Sequence, residues 1–195
     1  MRQFVAAVVG SALLSVFTFA GAAQAAAETY KADPVHSTSV FRIKHANAAY
    51  FWGRFNEPMG SFTIDAADPT KSTFEVELTV DKIDTANDKR NAHLKSPDFF
   101  NAKQYPKITF KSTSVKKGQG DNMLDVTGDL TLHGVTKPIT VQVELTGKGE
   151  FPPTVKRAGV EANFVVKTSD FEIKGMPGAL SDEVKVVVSL EGIKQ

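Results

Sequence analysis

Ile139-Thr140-Val141-Gln142-Val143-Glu144-Leu145 alternates apolar and polar residues over seven consecutive positions. Successive side chains of a strand point to opposite faces, so Ile139, Val141, Val143 and Leu145 share one face and Thr140, Gln142 and Glu144 the other. The same period of two recurs on both sides of this stretch. Leu124, Val126, Leu130 and Leu132 alternate with Asp125, Thr127, Asp129 and Thr131, and Phe74, Val76, Leu78 and Val80 with Thr73, Glu75, Glu77 and Thr79. Val184, Val186, Val188 and Leu190 repeat the pattern near the C-terminus, with shorter runs around 40–43, 62–64, 108–110 and 160–168. About eight antiparallel strands follow, each with one buried face.

The connections carry turn chemistry. The segment 133–138, opening His133-Gly134, and the segment 118–122, with two glycines, read as hairpin connections. Gly147 to Pro153, with two glycines and two prolines, reads as a longer loop or strand break. Only residues 87–105 abandon the alternation. Ser96-Pro97-Asp98 supplies a cap, a proline and an acid in helix-opening order, which predicts a short helical turn carrying Phe99 and Phe100, with a second short helix available before it at 87–95. An insertion of this kind suits a lid over one end of a barrel.

At the N-terminus, Arg2 is followed by an apolar run, then by Ala23-Gln24-Ala25-Ala26-Ala27 before the first acid, Glu28. A positive start, an apolar centre and an A-x-A site predict a secretory leader over 1–25, with cleavage as late as 27, and a single domain over 26–195. Arg2 is the leader's one charge, so the remainder has 22 basic and 22 acidic residues. A balance of this kind offers nucleic acid no electrostatic footprint. The remainder also holds 40 Val, Ile and Thr against 11 Leu and Met, which favours pleated sheet over a helical bundle. With no Cys there is no disulfide framework, thiolate metal site, cysteine nucleophile or lipidated cysteine.

Eight one-faced strands can pack as two sheets or close into a barrel, whose interior is either filled or holds one small ligand. The sequence contains no G-x-S-x-G elbow, H-E-x-x-H, P-loop or dinucleotide fingerprint, so no catalytic residue is assigned and the chain is read as a non-enzyme. His36, His45 and His93 offer a three-imidazole metal site, and His36 beside Ser37 a hydrolytic one; backbone-bonded histidines at a barrel end are the simpler reading. No metal or cofactor is assigned. His133 reads as a surface turn residue. Arg54 and Arg90 stand near aromatics, where each can grip an anionic head group or pair with a carboxylate such as Asp84 or Asp88.

Several segments together resemble the YceI-like family of exported, polyisoprenoid-binding proteins. The resemblance begins at Asp33-Pro34-Val35-His36-Ser37, continues through Gly53-Arg54-Phe55, and is most specific in Arg90-Asn91-Ala92-His93-Leu94-Lys95-Ser96-Pro97-Asp98-Phe99-Phe100. Gly128-Asp129-Leu130-Thr131-Leu132-His133-Gly134-Val135-Thr136-Lys137-Pro138 extends it, so it spans nearly all of the mature chain. Two positions depart from the family pattern: Asn91 where Asp is usual and Glu172 where Gly is common. The resemblance implies an all-β, extended, lipocalin-like antiparallel barrel with a short helical lid, acting in the periplasm. It implies a long-chain isoprenoid ligand, of polyprenyl phosphate or isoprenoid quinone type, that is sequestered or transported. On that reading Phe41, Ile43, Phe62, Phe74, Phe99, Phe100, Phe110 and Phe164 line the chain, with Arg54, Arg90 and His93 nearer the head group. The alternative is a histidine-dependent metal-binding or hydrolytic periplasmic protein. Homodimerisation and transient membrane contact stay open.

Overall fold

The alternating stretch 139–145 lies within the longest strand of the computed structural model, β9 (Val135–Glu150). The structure describes residues 27–195, so the leader expected over 1–25 lies outside the described residues. Before β9 the chain forms β1 (Glu28–Ala32), β2 (Thr38–His45), β3 (Ala49–Phe55), β4 (Met59–Ile64), β5 (Thr73–Thr79) and the two-residue β6 (Ile83–Asp84). Helix α1 (Asp88–Lys95), β7 (Lys107–Lys117) and β8 (Met123–Leu132) follow, and β10 (Lys156–Lys167) and β11 (Leu180–Lys194) complete the chain.

Hydrogen-bonded neighbours run β1-β4-β5-β7-β8-β9-β10-β11, and β11 pairs back onto β1, which closes an eight-stranded antiparallel barrel. The expected barrel and strand number are therefore found, with one change of membership. β2, counted from the sequence as a wall strand, is not in the ring; β1, too short to stand out, is. The reason lies in β11. Its N-terminal part, up to Ser189, pairs with β2, while Gly192 to Lys194 pair with β1. At this branch a three-stranded flap, β2-β3-β6, leaves the ring and carries the wall upward.

Turn residues set the registers. β8 and β9 are joined by His133 and Gly134 alone, at φ 52° and φ 78°, with Leu132 opposite Val135. Two left-handed residues match the right-handed twist of the strands they join, so the connection is tighter than the six-residue segment expected. The loop expected over 147–153 starts later, at Phe151: β9 runs on through Gly147 and Gly149 and accommodates Thr146 as an extra residue where the register against β10 shifts at Gly159. A side chain on Gly159 would lie 2.3 Å from Thr146 Oγ1.

Of the two short helices expected in this segment, the one before Ser96 forms, as α1. Asn87 caps α1 by accepting from the Arg90 N–H at 2.9 Å. Ser96, expected to open a helix, instead closes this one, its N–H donating to the His93 carbonyl. Phe99 and Phe100 follow in turns. Downstream, Glu172 sits at φ 57° after the turn Thr168–Phe171. This left-handed position costs a residue with a Cβ about 1–2 kcal/mol, which accounts for the glycine expected there.

The core has two parts. At the closed end, Tyr30 stacks on Phe62 at 5.4 Å and Phe62 on Phe74 at 6.4 Å, and Tyr30 and Phe62 are fully buried. Toward the flap a second cluster gathers Phe55, Val80, Ile83, Phe99, Phe171 and Ile173 around the lid segment.

Candidate functional site

Between these two clusters the barrel is hollow. A cavity of about 1780 Å³ begins above Phe74 and extends to the lid. Val141 and Val143 of β9 and Val160 of β10 line its lower wall, and Phe110 of β7 and Phe164 of β10 its upper wall. Glycine shapes this lining: at Gly128, diagonally across from Phe110 on the neighbouring strand, an added Cβ would lie 2.6 Å from Phe110 Cζ, so the ring needs the bare backbone there.

The exposed lining residues gather at one end, which is the mouth. They include His45 and Tyr50 of the flap, Lys89 and His93 of α1, and Lys174 and Met176 of the segment before β11. Polar chemistry is thus confined to the rim, while the depth is hydrocarbon and aromatic ring. Such a division orients an amphiphile with its chain inward and its head group at the rim.

Helix α1 has no buried residue, and eight residues are too few to hold a helix together alone. A polar clamp secures it. Arg90 donates from Nε to Thr85 Oγ1 at 3.0 Å and from Nη2 to the Thr85 carbonyl at 2.6 Å. Its guanidinium also lies 4.1 Å from the ring centroid of Phe51. The Asn91 amide oxygen accepts from the Thr85 N–H at 2.9 Å and from its hydroxyl at 2.5 Å. An amide oxygen and a carboxylate oxygen are equivalent as acceptors here, so Asn91 needs no negative charge for this task. His93 meets Asp98 at 3.1 Å and sets its ring edge-on to Phe99 at 4.9 Å.

Most residues singled out from the sequence come together around this cavity. Phe41, Ile43 and Phe74 line it, as do Phe99, Phe100, Phe110 and Phe164, with Arg90 and His93 at the mouth. Phe62 does not: it lies one layer below Phe74, inside the solid end. Alternation places Phe62 on the inner face but carries no information on depth along the barrel. Arg54 does not reach the cavity either. Its Nε and Nη2 both donate to Asp84 Oδ2, at 3.2 and 2.9 Å, on the outer face of the flap. Of the two roles open to it, the carboxylate pair is the one formed.

The three histidines offered as a metal set are not gathered. His45 and His93 line the mouth, whereas His36 lines a separate small cleft with Arg54 and Glu57. There His36 Nδ1 meets Asp33 Oδ2 at 2.9 Å and lies 3.9 Å from Glu191. Arg157 bridges the same two carboxylates, 3.0 Å from Asp33, and so supplies the cationic charge itself. His36 and Arg157 hold the Asp33 carboxyl down at about 2. His133 is half-buried under Tyr105, 4.9 Å between rings, with Nδ1 3.1 Å from the Phe171 carbonyl, so it ties the β8–β9 turn to the lid side instead of standing free. Leu180, Ile173 and Met176, which the sequence did not single out, also line the cavity. Ile173 and Met176 belong to a non-alternating approach to β11, and Leu180 opens that strand ahead of its alternating part.

Comparison with known proteins agrees with this architecture. Protein YceI of Escherichia coli O17:K52:H18 is 42% identical over 186 residues, covering 95% of this chain and 96% of that protein. A UPF0312 protein of Pseudomonas aeruginosa is 41% identical over 196 residues, covering all of this chain and 98% of the relative. Among solved structures, BcnA of Burkholderia cenocepacia superposes with a TM-score of 0.74 over 82% of this chain and 98% of its own, at 23% identity. A YceI protein of Campylobacter jejuni gives 0.66 at 27% identity over 73% and 84%. A polyisoprenoid-binding domain from Saccharophagus degradans gives 0.66 at 18% identity over 85% and 98%. The YceI-like domain model matches residues 30–192, and the chain belongs to the YceI-like family.

Proposed function

We propose that the protein is a non-enzymatic periplasmic carrier that sequesters or transports a long isoprenoid lipid, of polyprenyl phosphate or isoprenoid quinone type. The observation that carries the reading is the apolar cavity of about 1780 Å³ with a polar rim. Left void, a space this size would cost on the order of 40 kcal/mol at about 24 cal/mol per Å³, several times the roughly 5–15 kcal/mol by which a domain is stable. Filled with liquid, it would hold roughly 60 waters at about 30 Å³ each, most of them against walls that offer no hydrogen bonds. A hydrocarbon chain relieves both penalties. The structural likeness to a domain described as polyisoprenoid-binding supports an isoprenoid over other lipids. The head group would meet Arg90, His93 and Lys89 at the mouth.

Affinity need not be extreme. Burying roughly 40 carbons at about 0.8 kcal/mol each is nominally worth about 30 kcal/mol, beyond the ceiling of about 18–21 kcal/mol for non-covalent binding. The competing environment is a membrane as apolar as the cavity, so most of that term cancels and exchange stays reversible. Native mass spectrometry and solvent extraction of protein purified from its own host test the reading. An isoprenoid recovered at near-stoichiometric amount is expected. Protein that is ligand-free, or that retains fatty acids with no preference for isoprenoids, would overturn it.

A further inference from the structure

The outer face of the flap differs from the rest of the barrel surface. Strand registers place Val165 of β10, Lys185 of β11, Arg42 of β2 and Trp52 of β3 opposite one another in a single row. One step toward the mouth, Lys44 is paired with Tyr50. Strands lie about 4.8 Å apart, so the row spans about 14 Å. Val165, Trp52 and Tyr50 are 58%, 54% and 56% exposed, which puts three large apolar side chains and three cations on one solvent-facing patch.

The cations there lack partners. On other parts of the barrel, strand lysines pair with carboxylates, as Lys107 does with Glu77, Lys111 with Glu75 and Lys137 with Asp170. Among the described residues, Arg42, Lys44 and Lys185 make no ion pair. Arg42 is instead held by rings, 4.1 Å from the centroid of Tyr50 and 5.8 Å from that of Trp52, and its buried Nε makes no hydrogen bond. Glu183 is the acid at the margin of the row. The neighbouring Arg54 is neutralised by Asp84 and Asp182 is taken up by Thr168 and Ser169.

Indole and phenol rings beside unpaired cations form a surface suited to the head-group layer of a bilayer: the rings rest at the polar–apolar boundary and the cations meet lipid phosphates. Position adds a second argument. Tyr50 also lines the cavity mouth, and Met176, 49% exposed, stands at the same mouth. We propose that the outer face of β2 and β3, with Lys185 and Val165 beside it, docks the protein on a phospholipid bilayer bearing anionic head groups and brings the cavity mouth against the membrane. The docking stands on the surface alone; only its purpose rests on the carrier reading.

Trp52 is the chain's single tryptophan, so the docking surface contains its own probe. Lipid-free protein would be titrated with large unilamellar vesicles of phosphatidylethanolamine and phosphatidylglycerol, and in parallel with vesicles of phosphatidylcholine alone. With the anionic vesicles a blue shift of Trp52 emission and co-sedimentation are expected. Each basic residue near an anionic surface is worth about fivefold in partition, so R42Q/K185Q should bind roughly twentyfold to thirtyfold more weakly. Raising salt from 0.1 to 1 M, which shortens screening from about 10 to about 3 Å, should release the protein. Should the double variant fail to fold by circular dichroism, K185Q alone, on an exposed site, should still lose about fivefold. No Trp52 shift with anionic vesicles, or equal binding to both vesicle types and to the variant, overturns the proposal. A protein that carries an isoprenoid but ignores vesicles refutes docking alone; one that docks but is recovered from its host without an isoprenoid refutes the carrier reading alone.

Discussion

Two glycines that face the barrel interior should respond in opposite ways to the same added methyl group. At Gly53, on β3, a Cβ would lie 2.4 Å from Cζ of Phe41, the residue directly across on β2. Phe41 borders the cavity, so its ring has space into which it can swing. An off-rotamer ring costs about 0.5–1.5 kcal/mol, and replacing glycine by alanine in a strand returns about 0.5–1 kcal/mol, so Gly53→Ala should be neutral to within about 1 kcal/mol. At Gly192, on β11, a Cβ would lie 2.7 Å from Tyr30 Cβ and 2.8 Å from the Phe62 ring, both buried in the stacked end. A Cβ cannot swing away as a ring can, so the strands themselves must part. Overpacking of this kind places Gly192→Ala at about 2–3 kcal/mol destabilising. For a chain of this size about 2–4 °C of melting temperature corresponds to each kcal/mol, so thermal melts of lipid-free protein should show about 4–12 °C lost at Gly192 and little change at Gly53. Ligand loading should fall at Gly53, where the displaced ring takes up cavity space, and not at Gly192. Equal thermal losses at the two positions would refute the division of the barrel into a solid end and a hollow end.

Arg90→Lys keeps the charge but loses the forked contact to Thr85, so hydrogen exchange across α1 should speed up severalfold while the strands keep their protection. Glu28 is held down at about 2 by Lys148, Lys194 and the Tyr30 hydroxyl, and Asp33 at about 2 by His36 and Arg157. Unfolded, such carboxylates titrate near about 4. The unfolded chain therefore binds more protons between about pH 4 and 2, and stability should be flat above about pH 5 and fall through that window. In acid-denaturation curves, the deficit of Glu28→Gln relative to the native chain should shrink toward pH 2. A deficit that persists there would show that the Glu28 contacts act through packing instead of charge.

The strands with clean alternation, β5, β8, β9 and β11, were legible because each presents one apolar face over four or more alternate positions. The ring's closure was not. β1 offers only Tyr30 and Ala32 to the core, too few positions for a period to register, and β6 is two residues long. The branch at β11 depends on pairings 135 or more residues apart in the chain, which no local pattern records. For the cavity, alternation identified which side chains point inward but not their height, so Phe62 in the floor looked the same as Phe110 in the wall. Arg54 and Arg90 were likewise indistinguishable as residue types. Their fates were settled by Asp84, opposite Arg54 across β3 and β6, and by Thr85, within reach of a helix whose start Asn87 fixes.

The pairing of Tyr30 with Lys194 joins the first strand to the last across 164 residues. No piece of the chain that lacks β11 can complete this ring, because the closing pairings are made by Gly192 to Lys194. Closure of so distant a contact is slow, on the scale of milliseconds to seconds for barrels rich in non-local pairing. Throughout synthesis, then, the ring cannot lock shut until β11 has been added.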